Sequence, residues 1–272
     1  MLGRTRRRTD EPPRRLRRGV YLLPSLMTLG NLFCGYACIV YAMRGDYDTA
    51  APFVGIALLL DGLDGRIARM TGTSSAFGLE FDSLADMVSF GMAPAILTFS
   101  WGLTTLGRWG WAAGFMYLTA TAMRLARFNI QSSGGDKRYF VGMPCPAAAT
   151  VPAATILAYP VGLHNRHEAL PALALMLVPA ALMVSTIRFR SFKTIDLQVR
   201  RSYTVLIAIA FVIAAVFAHP AMVLVMVSYA YLVSAFVEII VSRIRHRGSD
   251  AVPAATPEDA PLPPIVEPRP PF

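Results

Sequence analysis

The 272-residue chain is 54% hydrophobic, only 16% charged, and carries a formal net charge of +9. That leaves too little polar surface to cover a soluble domain of this size, which excludes an ordinary soluble globular protein. The arginines sit beside apolar runs rather than along an aromatic-studded groove, so the excess positive charge points to a membrane surface and not to nucleic acid.

Residues 1–19 form a basic arm, with Arg4, Arg6, Arg7, Arg8, Arg14, Arg15, Arg17 and Arg18, too charged to pack in a core. The apolar run that begins at Val20 exceeds ~20 residues and lacks a small-residue cleavage site, so it reads as a retained span and not a signal peptide. Apolar runs long enough to cross a hydrocarbon core of ~30 Å occur at 22–43, 49–69, 83–103, 109–129, 146–163, 169–187, 203–218 and 221–242. Strand-like alternation is absent, and lipid admits only helices or closed barrels. The expected fold is therefore all-α, a polytopic transmembrane helix bundle of about eight spans over residues 20–247.

Charge sets the expected orientation. The amino-terminal arm is basic, and so is every second loop after it: Arg66 and Arg69; Arg124, Arg127, Lys137 and Arg138; Arg188, Arg190, Lys193, Arg200 and Arg201; Arg243, Arg245 and Arg247. The other loops hold only Arg44, Arg108 and Arg166. By the positive-inside rule both termini are cytoplasmic. Residues 248–272, rich in proline among acidic residues, form a tail expected to be extended and mobile. Cys34, Cys38 and Cys145 are odd in number and lie in apolar surroundings, which gives neither a disulfide nor a zinc site.

The second run ends in Leu60-Asp61-Gly62-Leu63-Asp64-Gly65, two carboxylates three residues apart on one helical face. The third opens with Asp82 and Asp86, again on one face at a spacing of four. A charge at membrane depth needs a partner. Pairing with Arg66, Arg69 and other loop cations is one reading; the other is that the four acids converge from two adjacent helix ends around cations. All four stand at helical spacings with no matching lysines at the same depth, and this favours the cations. An oxygen-only ligand set selects a hard ion, Mg²⁺ or Mn²⁺. His164, His167, His219 and His246 lie in loops or tails away from the acids, which argues against a Ser-His-Asp arrangement.

From Asp61 to Asp86 the chain reads Asp, two residues, Asp-Gly, two residues, Ala-Arg, eight residues, Gly, three residues, Asp, three residues, Asp. This resembles, at every fixed position, the signature of the CDP-alcohol phosphotransferase family. The stretches Leu23 to Gly35, Asp82 to Gly91, Arg124 to Asn129 and Phe140 to Ala149 look like the bacterial and archaeal members of that family that make phosphatidylserine. Met143 and Cys145 depart from them, standing where Leu and often Ser are expected.

The resemblance implies a membrane enzyme, facing the cytoplasm from the inner (plasma) membrane, that moves the phosphatidyl group of CDP-diacylglycerol onto L-serine and releases CMP. It implies two Mg²⁺ or Mn²⁺ ions per active site, one held by Asp61, Asp64 and Asp82 and one by Asp61, Asp82 and Asp86. Asp86 would also be the catalytic base. Gly65, Arg69 and Ser75 would contact the CDP moiety, with Thr28 and Asn31 beside it on the first helix. Arg127, Asn129, Phe140 and Gly142 would receive the acceptor, and the protein would be a homodimer. Two alternatives stay open: the same chemistry with glycerol 3-phosphate, inositol phosphate or choline as acceptor, and a divalent-cation transporter, since intramembrane acids also mark ion paths.

Overall fold

The computed structural model describes residues 14–72, 75–133, 140–185, 188–189, 210, 214–215 and 218–249. Its helices are α1 (Arg14–Met43), α2 (Tyr47–Thr71), α3 (Ala76–Asp86), α4 (Ala93–Trp101), α5 (Arg108–Ser133), α6 (Cys145–Ala158), α7 (Arg166–Val184) and α8 (Pro220–Ser249). A π-helical turn, Met87–Met92, joins α3 to α4 in one apolar rod, Ala76–Trp101. Within it the Ala93 N–H reaches back five residues to the Val88 carbonyl. Contacts divide the chain into Met1–Ala235 and Phe236–Phe272, and every residue of the candidate site belongs to the first unit.

Among the described residues the architecture is helical, as expected, apart from a two-residue antiparallel ladder that pairs Phe140 with Phe189 and Val141 with Arg188. Three helices among the described residues are long and apolar enough to cross a bilayer: Pro24–Met43, Ala76–Trp101 and Arg166–Val184. Helices α2 and α5 match them in length, at 25 and 26 residues, but carry the charges of the site, Asp61 and Asp64 on one and Arg124 and Arg127 on the other. The seventh expected run, 203–218, lies almost wholly outside the described residues, as do Arg4, Arg6, Arg7 and Arg8 of the arm and the tail beyond Ser249.

Several boundaries differ from the sequence expectation, among them the start of α1 at Arg14 and not 22 and the end of α8 at Ser249 and not 242. The third run was placed from residue 83, whereas the helix starts at Ala76, capped by Ser75, whose hydroxyl accepts from the Gly78 N–H at 3.0 Å. Asp82 therefore sits nearly two turns inside the helix and Asp86 at its last residue. The fifth run was read to residue 163, but α6 stops at Ala158. The residue before a proline avoids the helical region, and Tyr159 precedes Pro160.

α1 packs most extensively on α2. The buried positions are Cys34, Ala37, Cys38 and Ala42 on one and Ala50, Ala51, Val54 and Ala57 on the other, small residues at spacings of three and four that let two backbones approach closely. The other face of α1 is large and apolar, with Phe33 62% exposed and Leu26, Leu29 and Tyr36 beside it. A continuous apolar stripe of that kind suits lipid and not water.

Hydrogen bonds knit each end of the bundle. At one end Tyr47 donates to the Ser100 carbonyl at 2.7 Å, Trp101 Nε1 donates to the Tyr159 carbonyl at 3.0 Å, and the Leu163 N–H donates to the Trp101 carbonyl at 2.7 Å. Trp109 and Trp111 are exposed there, as aromatic residues at a membrane interface are. The opposite end gathers the carboxyl-terminal parts of α2, α5 and α7 with the amino-terminal parts of α3 and α6. It carries the basic positions Arg66, Arg124 and Arg127, and it is the end where the acids lie.

Candidate active site

The 3.6-residue period puts Asp61 and Asp64 on one face of α2, and Asp82 and Asp86 on one face of α3. Asp61, Asp64 and Asp82 each offer a carboxylate oxygen within 4.8 Å of the others. If all three are ionised, each pair at that separation repels by roughly 3 kcal/mol at an effective dielectric near 20. Three such pairs approach the whole net stability of a domain, about 5–15 kcal/mol. Asp64 is buried, and Asp82 Oδ1 is buried with no hydrogen-bond partner among the described residues. A hard divalent cation fits this set: it removes the repulsion, satisfies the stranded oxygen and prefers carboxylate ligands. Arg66, offered by sequence as an ion-pair partner, is exposed.

α1 supplies two polar side chains to the acids. Thr28 Oγ1 lies 2.9 Å from Asp64 Oδ2 and 3.1 Å from the Pro24 carbonyl. Its one proton serves one acceptor at a time, and the bond to the carboxylate is the shorter and charge-assisted one. One turn on, Asn31 Nδ2 donates to Asp86 Oδ1 at 3.0 Å, and the Asn31 carbonyl accepts from Ser89 Oγ at 2.8 Å. Gly35 makes that approach possible, because a Cβ there would stand 2.6 Å from Ser89 Oγ and 2.8 Å from Ser89 Cα. Asp86 is nine-tenths buried and is within electrostatic reach of Asp61, Asp82 and Asp64, although it lies outside the tight group of three.

The π turn follows directly on Asp86. Such turns leave carbonyls poorly used by the helix itself, and here the fully buried Tyr117 of α5 donates its hydroxyl to the Phe90 carbonyl at 3.1 Å. No sequence signal marks the π turn, since one added residue leaves an apolar run apolar.

The segments expected to receive an acceptor come to the same end of the bundle. Asn129 is half-buried and exchanges hydrogen bonds with Ser83, next to Asp82, at 3.0 and 3.2 Å. Arg127 is half-buried and its Nη1 is buried without a hydrogen-bond partner among the described residues. Arg124 is buried, donates through Nε to the Met143 carbonyl at 3.2 Å, and places its guanidinium 5.4 Å from the Phe128 ring centroid. Gly142 is held at φ 85°, and a Cβ would stand 2.5 Å from the Met183 carbonyl oxygen. The Met143 N–H donates to the Leu182 carbonyl at 3.1 Å. With Phe140 in the ladder to Phe189, these bonds hook the loop before α6 onto the end of α7.

Ser75, expected at the CDP moiety, caps α3 and is exposed. Gly65 is half-buried on α2, one residue beyond Asp64. Arg69 is one turn further along α2, its side chain outside the described residues. Ser83, Ser89 and Arg124 received no role from sequence. Ser83 is adjacent to an acid of the signature and Arg124 opens a segment rich in polar residues, whereas Ser89 becomes visible only through its bond to α1.

Residues 21–187 match the family model described as CDP-alcohol phosphatidyltransferase. A CDP-diacylglycerol–serine O-phosphatidyltransferase of Helicobacter pylori (strain J99) is 39% identical over 199 residues, covering 71% of this chain and 82% of the relative. The archaetidylserine synthase of Methanothermobacter thermautotrophicus is 34% identical over 169 residues, 61% of this chain and 69% of the relative. The CDP-diacylglycerol–serine O-phosphatidyltransferase of Bacillus subtilis is 36% identical over 126 residues, 46% of this chain and 70% of the relative. The chain belongs to the CDP-alcohol phosphatidyltransferase family and is a membrane protein.

Proposed function

We propose that this member of the family transfers the phosphatidyl group of CDP-diacylglycerol to the hydroxyl of L-serine, giving phosphatidylserine and CMP. The observation that carries the reading is the group of Asp61, Asp64 and Asp82 within 4.8 Å, with Asp86 one turn beyond Asp82 on the same helix. The names and identities of the relatives support serine as the acceptor.

Asp61, Asp64 and Asp82 hold one divalent ion, and Asp61, Asp82 and Asp86 a second, Mg²⁺ or Mn²⁺. When bound, such ions neutralise the pyrophosphate of the donor and the charge that builds on departing CMP. Gly65, Arg69 and Ser75 hold the CDP moiety: glycine admits a flat base against the backbone, and arginine is a permanently charged phosphate donor. A serine hydroxyl is a weak nucleophile at neutral pH, so Asp86 takes its proton as it attacks. Asn31 donates to one oxygen of that carboxylate, and the other, with two lone pairs, would serve both the ion and the proton. A new bond forms between the serine oxygen and the phosphorus that bears diacylglycerol, the bond from that phosphorus to the bridging oxygen breaks, and CMP leaves. Arg127, with its stranded Nη1, receives the serine carboxylate, and Asn129, Phe140 and Gly142 shape the pocket around it.

Eight spans over residues 20–247, both termini cytoplasmic, and an active site facing the cytoplasm from the inner (plasma) membrane complete this reading, with residues 1–19 and 248–272 flanking the catalytic domain. The arginine bias across alternate loops supports it. The functional unit is a homodimer, a reading that rests on family resemblance. The test is CMP release by purified protein from CDP-diacylglycerol with L-serine, glycerol 3-phosphate, inositol phosphate or choline, before and after chelation. Release with serine that is lost on chelation and restored by Mg²⁺ or Mn²⁺ is the expected result. Transfer to another of these alcohols and none to serine overturns the acceptor, and metal flux across liposomes without CMP release overturns the enzyme.

A further inference from the structure

The two polar residues that α1 sends into the site both end on carboxylates, Thr28 on Asp64 and Asn31 on Asp86. We infer that Thr28 and Asn31 are positioning residues of the metal site, a two-point template on α1 that holds one acid of α2 and one of α3 in register. The inference rests on the reading that these acids hold divalent ions, and it goes beyond the contact with the CDP moiety that family resemblance implies for both residues.

Three observations carry it. Asn31 is wholly buried, and its Oδ1 has no hydrogen-bond partner among the described residues. An asparagine with one polar atom stranded is a poor packing choice, so its contribution is the donor aimed at Asp86. Its backbone is anchored to the segment just after Asp86 by the bond from Ser89 and by the close approach at Gly35, which leaves no room for a Cβ. The donor is thus fixed relative to its acceptor from both ends. Finally, Thr28 and Asn31 lie three residues apart, on one face of α1, while their acceptors belong to different helices. A ligating carboxylate has two oxygens and free rotation about its terminal bond, and a hydrogen bond to one oxygen decides which remains for the ion. Holding Asp64 and Asp86 from one rigid helix sets the separation between α2 and α3 at the depth where the ions must sit.

The test is Mn²⁺ binding to purified protein, read by the free-ion electron paramagnetic resonance signal, with CDP-diacylglycerol binding and steady-state kinetics alongside. Thr28→Val and Asn31→Leu keep shape and remove the donor, and each is expected to weaken Mn²⁺ binding ~10–100-fold, as loss of an outer hydrogen-bond partner does. Thr28→Ser keeps the hydroxyl and is expected to recover most of the loss. For both donor-less variants kcat falls while KM for the lipid moves by less than ~3-fold, the signature of a misplaced ligand and not of a lost substrate contact. Wild-type Mn²⁺ affinity in Thr28→Val and Asn31→Leu, with weakened CDP-diacylglycerol binding, overturns the template and makes both residues substrate contacts. If Asp64→Asn and Asp86→Asn also leave Mn²⁺ binding unchanged, the metal reading itself is overturned. Should Asn31→Leu fail to fold, the Thr28→Val and Thr28→Ser pair decides between these outcomes.

Discussion

Asn31 Nδ2 donates to Asp86 Oδ1 at 3.0 Å, across 55 residues of sequence and between α1 and α3. The bond orients a nine-tenths buried carboxylate beside Asp61 and Asp82 and leaves its second oxygen for chemistry. In Asp86→Asn the amide oxygen can still accept from Asn31, so the helix arrangement is kept, and the ion position made by Asp61, Asp64 and Asp82 keeps all its ligands. Proton acceptance is lost. CDP-diacylglycerol binding is expected to stay near the wild-type level while turnover falls at least ~100-fold. Binding isotherms and single-turnover CMP release check both halves, and near-normal turnover removes Asp86 from the mechanism.

Orientation is tested by cysteine labelling, and the native thiols do not interfere because Cys34, Cys38 and Cys145 are all buried. Ser75→Cys, at the exposed start of α3, is expected to react with a membrane-impermeant maleimide only in inverted vesicles. Asn165→Cys, capping α7 at the other end of the bundle, is expected to react only in right-side-out vesicles or intact cells. Labelling of residue 75 from outside reverses the bundle and sinks the cytoplasmic active site.

Gly142 joins stability to the site. An alanine there must adopt φ 85° and place its Cβ 2.5 Å from the Met183 carbonyl oxygen, which belongs to the backbone and cannot swing aside. Gly142→Ala is expected to destabilise by about 1–3 kcal/mol and to raise KM for serine by loosening the loop that leads from Phe140 to Met143. Gly55→Ala is the control, since a Cβ at Gly55 meets nothing within 4 Å. Thermal unfolding in detergent compares the two, and equal melting temperatures refute the role given to Gly142.

The acids and the helical class were legible in sequence for a physical reason: carboxylates at spacings of three and four inside apolar runs have few explanations, and lipid forbids most other folds. Thr28 and Asn31 were legible as site residues only through family resemblance, because their partners are 36 and 55 residues away and no local pattern encodes a hydrogen bond over that distance. The start of α3 is hidden in sequence because Gly78, Glu80 and Asp82 alternate with the apolar residues of 76–82, which lowers the hydropathy of that stretch below that of the run from residue 83 onward. The ladder between Phe140–Val141 and Arg188–Phe189 is two residues long, too short for any period to show. Its effect is large all the same, since it is part of what ties the loop before α6 to the end of α7.

The acceptor pocket gives the last prediction. Asn129 exchanges hydrogen bonds with Ser83, and Ser83 follows Asp82 directly, so the polar segment of α5 is coupled to the helix that carries two of the acids. If Asn129 helps to place serine against Asp86, then Asn129→Ala raises KM for serine far more than KM for the lipid donor, and Ser83→Ala reproduces a weaker form of the same change by removing one hydrogen-bond partner of Asn129. Arg127 acts differently: its buried Nη1 has no hydrogen-bond partner among the described residues, which leaves that donor for the acceptor carboxylate. Arg127→Lys keeps the charge but not the planar fork, and is expected to raise KM for serine at least ~10-fold, about the 1.4 kcal/mol of one charge-assisted bond. Serinol, which lacks the carboxylate, separates the roles. Wild-type enzyme uses it poorly, and Arg127→Lys discriminates serine from serinol less than wild type does, whereas Asn129→Ala keeps the preference. Unchanged discrimination in Arg127→Lys places the serine carboxylate elsewhere.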